Sequence, residues 1–186
     1  MTLANVPTPC ASAASSRWKW LAMAALAIAT APAQAFEASV SQPAFTVVVP
    51  SLPALAVAAP AADSSPAPSV RLVGSDGTTT LAISVDDAKR SITPRECAGS
   101  FLRTLVARPG MPPRDSIYRA PLNEAVFLVI YILGDEPASV LHAHLLSSAA
   151  STQCVEAHFT RALLAGEDED AWRRTFSGAS IVEGIR

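Results

Sequence analysis

The chain has 186 residues, of which half are hydrophobic but only 6% aromatic, with 15 prolines and a formal net charge of −2. This length accommodates one ordinary domain with extensions rather than two full-sized domains. The charge is close to zero and no basic run is longer than a pair, so the electrostatic footprint of a nucleic-acid-binding protein is missing.

The N-terminal segment has the order of a secretory signal peptide. Arg17 and Lys19 flank a tryptophan and stand directly before a run of apolar and small residues from Trp20 to Ala31. The run ends in Ala33-Gln34-Ala35, which is small at the two positions that a signal peptidase reads. We therefore predict a signal peptide over residues 1–35, export to the periplasm or the extracellular space, and no transmembrane helix in the mature chain.

Residues 36–68 are rich in proline and alanine. Six prolines between Pro43 and Pro68 interrupt this segment, which disfavours a continuous helix or a central strand. We predict a disordered leader here, with Phe45–Val49 as the one apolar run that could add a strand to this fold or to a partner. Residues 69–186 are then expected to form a single folded domain.

The folded part begins with the pattern of a β-hairpin. β-Branched residues lie on both sides of a turn formed by residues 74–77. A capped helix follows, because Thr93 offers a capping hydroxyl, Pro94 suits the first helical position, and Glu96 can bond back to the cap amide. Pro109 and Gly110 end it.

The remaining segments favour further helices. Residues 125–133 are apolar all round, so periodicity does not separate a buried helix from a buried strand, but the flanking Pro121 and Gly134 favour a helix. Three more helices are predicted: one from Asp135 to about Ala149, one from Ser151 or Thr152 to Gly166, and a short one opening in residues 167–170. The expected fold class is mainly α (α+β), a bundle of four to five helices with an N-terminal β-hairpin and one disulfide.

Two cysteines remain after the predicted cleavage. Cys97 lies early in the capped helix and Cys154 lies early in a later one. A disulfide between them is expected, because the count is even and the predicted compartment is oxidising. In the alternative, Cys97 is a nucleophile activated by the helix dipole, with His142 or His158 as its base.

Several short segments carry a partial family resemblance. They are Glu96-Cys97-Ala98-Gly99, Gly110-Met111, Pro113-Arg114-Asp115-Ser116, and the two later segments 129–135 and 140–143. Together they resemble the NlpC/P60 family of cell-wall cysteine peptidases. The resemblance implies a catalytic role for Cys97 alone, since Phe127 and Leu128 occupy the place of the family's catalytic histidine.

A metal site is the remaining alternative. On a helix Cys154 and His158 lie four residues apart on one face and could supply two ligands, although a disulfide would consume the thiolate. His142 and His144 would lie about 200° apart on the predicted helix and could not share an ion, whereas on a strand they would point the same way. The leading expectation therefore assigns no metal and no cofactor.

The function expected from these features is binding. An exported, disulfide-stabilised domain of this size is typical of inhibitors, immunity proteins, chaperones and assembly factors of the cell envelope. Its expected partner is another envelope or exported protein, and an enzymatic role is the less favoured expectation. The alternatives are a cell-wall-directed cysteine hydrolase that uses Cys97, and a metal binder that uses Cys154 and His158.

Overall fold

The computed structural model describes residues 35–60, 69–135, 138–149, 151–164 and 167–184. The predicted signal peptide lies outside the described residues, apart from Ala35. Before the first helix lie five strands: β1 (Phe36–Ser41), β2 (Ala44–Val49), β3 (Ala56–Ala58), β4 (Val70–Ser75) and β5 (Thr79–Asp87).

The described residues from Pro94 onward form two α-helices, a short 3-10 helix (Arg114–Ser116) and five more strands. These elements are α1 (Pro94–Val106), β6 (Tyr118–Pro121), β7 (Phe127–Leu133), β8 (Val140–Ala149), β9 (Gln153–Ala162), α2 (Glu169–Phe176) and β10 (Ser180–Glu183). The described residues are thus mostly β, and the expected helical bundle is wrong.

The strands form two antiparallel sheets. The smaller sheet has the order β1-β2-β10, and the larger has the order β3-β4-β5-β9-β8-β7-β6. The long hairpin of β8 and β9, together with the non-local antiparallel pairing of β9 with β5, builds the centre of the larger sheet. The expected hairpin before the capped helix is present as β4 and β5, and the Phe45–Val49 run lies in β2.

The main core lies between the two sheets. Alternate residues of β8 and β9 turn their side chains into it, and Leu141, Leu145, Val155 and Phe159 are completely buried there. From the smaller sheet and α2 come other buried side chains, including Phe36, Val47, Trp172 and Phe176. Because this side of the larger sheet is apolar, any polar chemistry of the sheet has to lie on its opposite side.

The segment expected to be a disordered leader contributes to this core. Residues 36–60 contain β1, β2 and β3, and the first two strands alternate buried and exposed side chains. Phe36 and Phe45 are each only 1% exposed. The prolines fall mostly between strands, so they interrupt the segment without preventing it from forming a sheet. Residues 61–68 of the expected leader lie outside the described residues.

Three segments expected to be helical are strands. Residues 125–133 contain β7, the expected helix from Asp135 to Ala149 is β8, and the expected helix up to Gly166 is β9. β7 and β8 are buried on both faces over much of their length, which hides the alternation that identifies a half-buried strand. The Asp135 segment forms a turn, in which Gly134 has a φ of +84° and the Asp135 carbonyl accepts a hydrogen bond from the Ala138 amide.

The two helices that form are the two with the clearest caps. At α1 the Thr93 hydroxyl accepts from the Glu96 amide, and the Glu96 carboxylate accepts from the Thr93 amide at 2.9 Å. At α2 the Asp168 carboxylate accepts from the Ala171 amide at 2.8 Å. Among the described residues, no helix is long and apolar enough to cross a membrane.

Candidate functional site

Helix α1 covers one end of the outer side of the larger sheet. Its buried residues Ala98, Leu102 and Leu105 pack against Val129 and Leu146 in a second, smaller apolar cluster. The remainder of this side is not covered by a helix of the described chain, and its side chains are small or polar. We refer to it as the open face, formed by Thr80, Ala82, Ser84, His142, Glu156, His158 and Thr160.

A disulfide fastens α1 to the sheet at the border of the open face. Cys97 in the first turn of α1 is bonded to Cys154 on β9, with their Cα atoms 5.7 Å apart. The disulfide predicted from the sequence is therefore present. In this form neither sulfur is a thiolate, so Cys97 is not available as a nucleophile and Cys154 is not available as a metal ligand.

The strand pairing gathers all three histidines of the chain on the side of the larger sheet that carries Cys154. His142 and His144 lie two residues apart on β8 and therefore project from the same face of the sheet. His158 on β9 lies directly opposite His144, and Tyr131 on β7 lies directly opposite His142. The predicted helix, on which His142 and His144 would have pointed apart, is wrong because β8 is a strand that directs both side chains to one face.

Two of the imidazoles are hydrogen-bonded edge to edge. His142 Nδ1 and His158 Nε2 are 3.0 Å apart. The two ring planes differ by only 19°, and the ring centroids are 5.3 Å apart. This contact requires one nitrogen to carry a proton and the other to present its lone pair, so both rings can be neutral.

The third imidazole lies in a separate chain of hydrogen bonds. His144 Nε2 is 3.1 Å from the Tyr131 hydroxyl, and His144 Nδ1 is 2.7 Å from Glu156 Oε1. A neutral His144 satisfies both contacts, with Nδ1–H donating to the carboxylate and Nε2 accepting from the hydroxyl. The hydrogen bonds from Tyr131 and Glu156 thus fix both ring nitrogens of His144, a residue that is only 2% exposed.

The two hydrogen-bonded groups are stacked on each other. The His144 and His158 rings lie face to face with their centroids 4.0 Å apart, and the Tyr131 and His142 rings are stacked with their centroids 4.9 Å apart. The Phe101 ring of α1 packs against the His144 ring, with the two ring centroids 4.5 Å apart. The result is a two-layered cluster, the histidine cluster, which comprises His142, His144, His158, Tyr131 and Glu156.

Burial displaces the pKa values of the whole cluster. It lowers the pKa of His142, lowers that of His144 well below its usual range, and lowers that of His158 to about 3. Neighbouring imidazoles lower the pKa values of His144 and His158 further. Burial also raises the pKa of Glu156 and, assisted by the Glu156 charge, raises that of Tyr131 to about 12. Such a group of displaced pKa values in a cleft is typical of functional sites.

Four of the five residues of the cluster line a cleft of about 950 Å³ between α1 and the sheet. Tyr131, His144, Glu156, His158 and the disulfide all line it. The rim carries four arginines, Arg90, Arg95, Arg103 and Arg108, and three acids, Asp86, Asp87 and Glu96. Only Arg90 of these arginines has an ion pair with a described residue, namely Glu96 at 3.0 Å.

The structure places the site residues suggested by the sequence on one side of the larger sheet. Cys97, Cys154 and His158 line the cleft, with the two cysteines joined to each other, and His142 is hydrogen-bonded to His158. Tyr131 and Glu156 were missed. The spacing His142-x-His144 on one segment and Glu156-x-His158 on the next would have indicated them, had both segments been interpreted as paired strands.

Fold and site together define a mostly β domain of two antiparallel sheets with a buried polar cluster on the outer side of the larger sheet. No family model matches the chain, and no curated protein matches it. One similar solved structure is a crystal structure from Bacteroides thetaiotaomicron VPI-5482 at 1.50 Å resolution, with 9% sequence identity and a TM-score of 0.48. The match covers 84% of this chain and 50% of the other, so the chain spans about half the length of that protein.

Proposed function

We propose that the protein is an exported binding protein that holds a partner in the cleft beside α1. The observation that carries this proposal is the burial of titratable groups at the floor of an open cleft. His144, Glu156 and Tyr131 are largely buried there, although apolar side chains in their place would cost less free energy on folding. Such a cost is typical of a surface that serves binding.

The charges at the rim favour an acidic partner. Arg95, Arg103 and Arg108 are exposed on or just after α1, and none of them forms an ion pair with a described residue. Guanidinium groups bind carboxylates in a bidentate manner, which favours recognition of acidic side chains or a chain terminus. We expect the partner to be an acidic segment of another exported or envelope protein.

The disulfide supports binding over the hydrolase alternative. Cleavage by Cys97 requires a thiolate, and the bond to Cys154 replaces that thiolate with a structural link between α1 and β9. The same link holds the rim of the cleft in one position. A rigid rim lowers the entropic cost of binding, because little is left to order when the partner arrives.

Site-specific photo-crosslinking in cells that naturally make the protein tests this proposal. A photoreactive amino acid replaces Ser100, which is exposed on α1 and lines the cleft, and in a matched strain it replaces Val182, which is exposed on β10. We expect one defined crosslinked protein from position 100 and none from position 182. Mass spectrometry of the product should locate the crosslink in an acidic segment.

Charge reversal supplies the second arm of the experiment. Arg103→Glu should abolish the crosslink from position 100, because it places a negative charge beside an acidic partner. Arg114→Glu, a matched reversal of an exposed arginine outside the cleft, should leave the crosslink unchanged. Equal crosslinking from positions 100 and 182, or a product that is indifferent to Arg103→Glu, would overturn the proposal.

A further inference from the structure

We propose that His142, His144 and His158 together bind one divalent transition-metal ion of the class that prefers imidazole nitrogen, such as Zn²⁺ or Cu²⁺. Each ring offers one nitrogen as a potential ligand atom, and these three nitrogens all lie within 4.8 Å of one another. The three side chains come from two adjacent central strands, so the sheet itself holds their backbones in place. This inference goes beyond the proposed function and does not depend on any partner in the cleft.

The edge-to-edge pair is close to the geometry that a metal ion requires. His142 Nδ1 and His158 Nε2 share one proton across 3.0 Å. Two nitrogens on a tetrahedral zinc, each bonded at about 2.0–2.1 Å, are about 3.3 Å apart. An ion that replaces the shared proton therefore needs these two rings to separate by only a few tenths of an ångström.

The third ligand is supported by a carboxylate. His144 Nδ1 is held by Glu156 at 2.7 Å, which leaves Nε2 as the nitrogen for the ion. A carboxylate on the far nitrogen of a metal-bound histidine fixes its tautomer and raises its basicity. For binding, the Tyr131 hydroxyl gives up its contact with Nε2, and the His144 ring leaves its stack on His158. The potential ligand atoms, which lie within 4.8 Å of one another, can then approach tetrahedral spacing.

The composition of the site selects the class of ion. The oxidised cysteines remove the nearby thiolates, so the donors are three imidazoles with a carboxylate behind one of them. Imidazole suits Zn²⁺ and Cu²⁺, whereas Ca²⁺ and Mg²⁺ prefer a set of oxygens. His142 and His158 are only partly buried at the border of the open face, which gives an ion a path to the site and leaves a position for water or a partner's group.

Isothermal titration calorimetry tests the proposal. The purified, untagged full chain is first treated with a chelator and then titrated with Zn²⁺ alone and, separately, with Cu²⁺ alone. We expect one ion per chain with a Kd on the order of 1 μM or lower. Because the chain has 3 histidines and all lie in the cluster, no other imidazole contributes to the signal. The Cu²⁺ complex should also show nitrogen hyperfine coupling in its electron paramagnetic resonance spectrum.

Variants separate the site from binding elsewhere on the surface. His142→Gln and His158→Gln should each weaken binding by about a hundredfold, and Glu156→Gln by about tenfold. Ser84→Ala, a matched change on the open face, should leave the Kd unchanged, and circular dichroism checks that each variant is folded. Absence of saturable binding by the wild type, or binding that survives both histidine changes, would overturn the proposal. The photo-crosslinking result is independent of either outcome.

Discussion

The stability of the metal-free protein should depend on pH through His158. Burial and neighbouring imidazoles hold the pKa of this side chain at about 3 in the folded protein, whereas a histidine in an unfolded chain titrates near about 6.5. Between these values the unfolded chain binds more protons than the folded chain. The contribution of His158 to stability is therefore complete above about pH 6.5 and is lost progressively as the pH falls towards about 3.

The magnitude follows from the displacement of the pKa. Between about pH 7.5 and pH 5, the part of the range that lies below the unfolded value spans about 1.5 pH units, at about 1.4 kcal/mol each. His158 alone should thus cost the protein about 2 kcal/mol of unfolding free energy over this range. His142 and His144 act in the same direction, whereas Glu156, whose pKa is raised, acts in the opposite direction.

Comparison with His158→Gln isolates the contribution of this one residue. Urea unfolding in the presence of a chelator, followed by the fluorescence of buried Trp172, gives the unfolding free energy at each pH. The loss between about pH 7.5 and pH 5 should be smaller in His158→Gln by about 2 kcal/mol, and Ser84→Ala should behave as the wild type. Equal losses in wild type and His158→Gln would show that His158 does not carry the pH dependence of stability.

Three further predictions concern the fold. Replacing Cys97 and Cys154 by serine should lower the unfolding free energy, measured by urea unfolding, by about 4 kcal/mol, because their bond closes a loop of 57 residues. A loss below about 1 kcal/mol would contradict this prediction. Thr93→Ala should cost about 1 kcal/mol through the lost capping box, measurable as a lower midpoint, and no change would show that the cap is dispensable. Phe159→Ala should lower the unfolding free energy by about 3–5 kcal/mol in the same assay, whereas Val182→Ala, at an exposed position, should change it by no more than about 0.5 kcal/mol. Similar values for the two variants would contradict the placement of the core.

Local signals in the sequence predicted what depends on a few neighbouring residues. The capping box at Thr93, the acidic start of α2 and the turn between β4 and β5 each involve backbone amides within four residues of the side chain that bonds them. The disulfide was predictable for a different reason. With Cys10 ahead of the expected cleavage site, only one pairing remained for the other two cysteines.

The segments that form β8 and β9 were predicted to be helices because their composition resembles that of a helix and their period-two alternation was not recognised. β8 is rich in leucine, alanine and serine, and it buries both faces, so its alternation is hidden. In β9 the alternation is visible, since Val155, Ala157 and Phe159 are all buried. Their spacing could be mistaken for a helical stripe only because Val155 and Phe159 also lie four residues apart.

The error in the strands accounts for the error in the site. A helix at residues 135–149 separates His142 from His144, whereas β8 places them on one face and β9 places His158 opposite His144. Non-local pairing of this kind leaves no signal within a single segment. The histidine cluster therefore followed from sheet topology, and only its individual members were visible in the sequence.

A crystal structure of the protein grown with Zn²⁺, with anomalous data collected on both sides of the zinc absorption edge, tests metal binding by the histidine cluster. We expect one strong anomalous peak at about 2.0–2.1 Å from a ring nitrogen of each of His142, His144 and His158, with Glu156 still bonded to His144. A peak at any other place, or none within the cluster at saturating zinc, would contradict it.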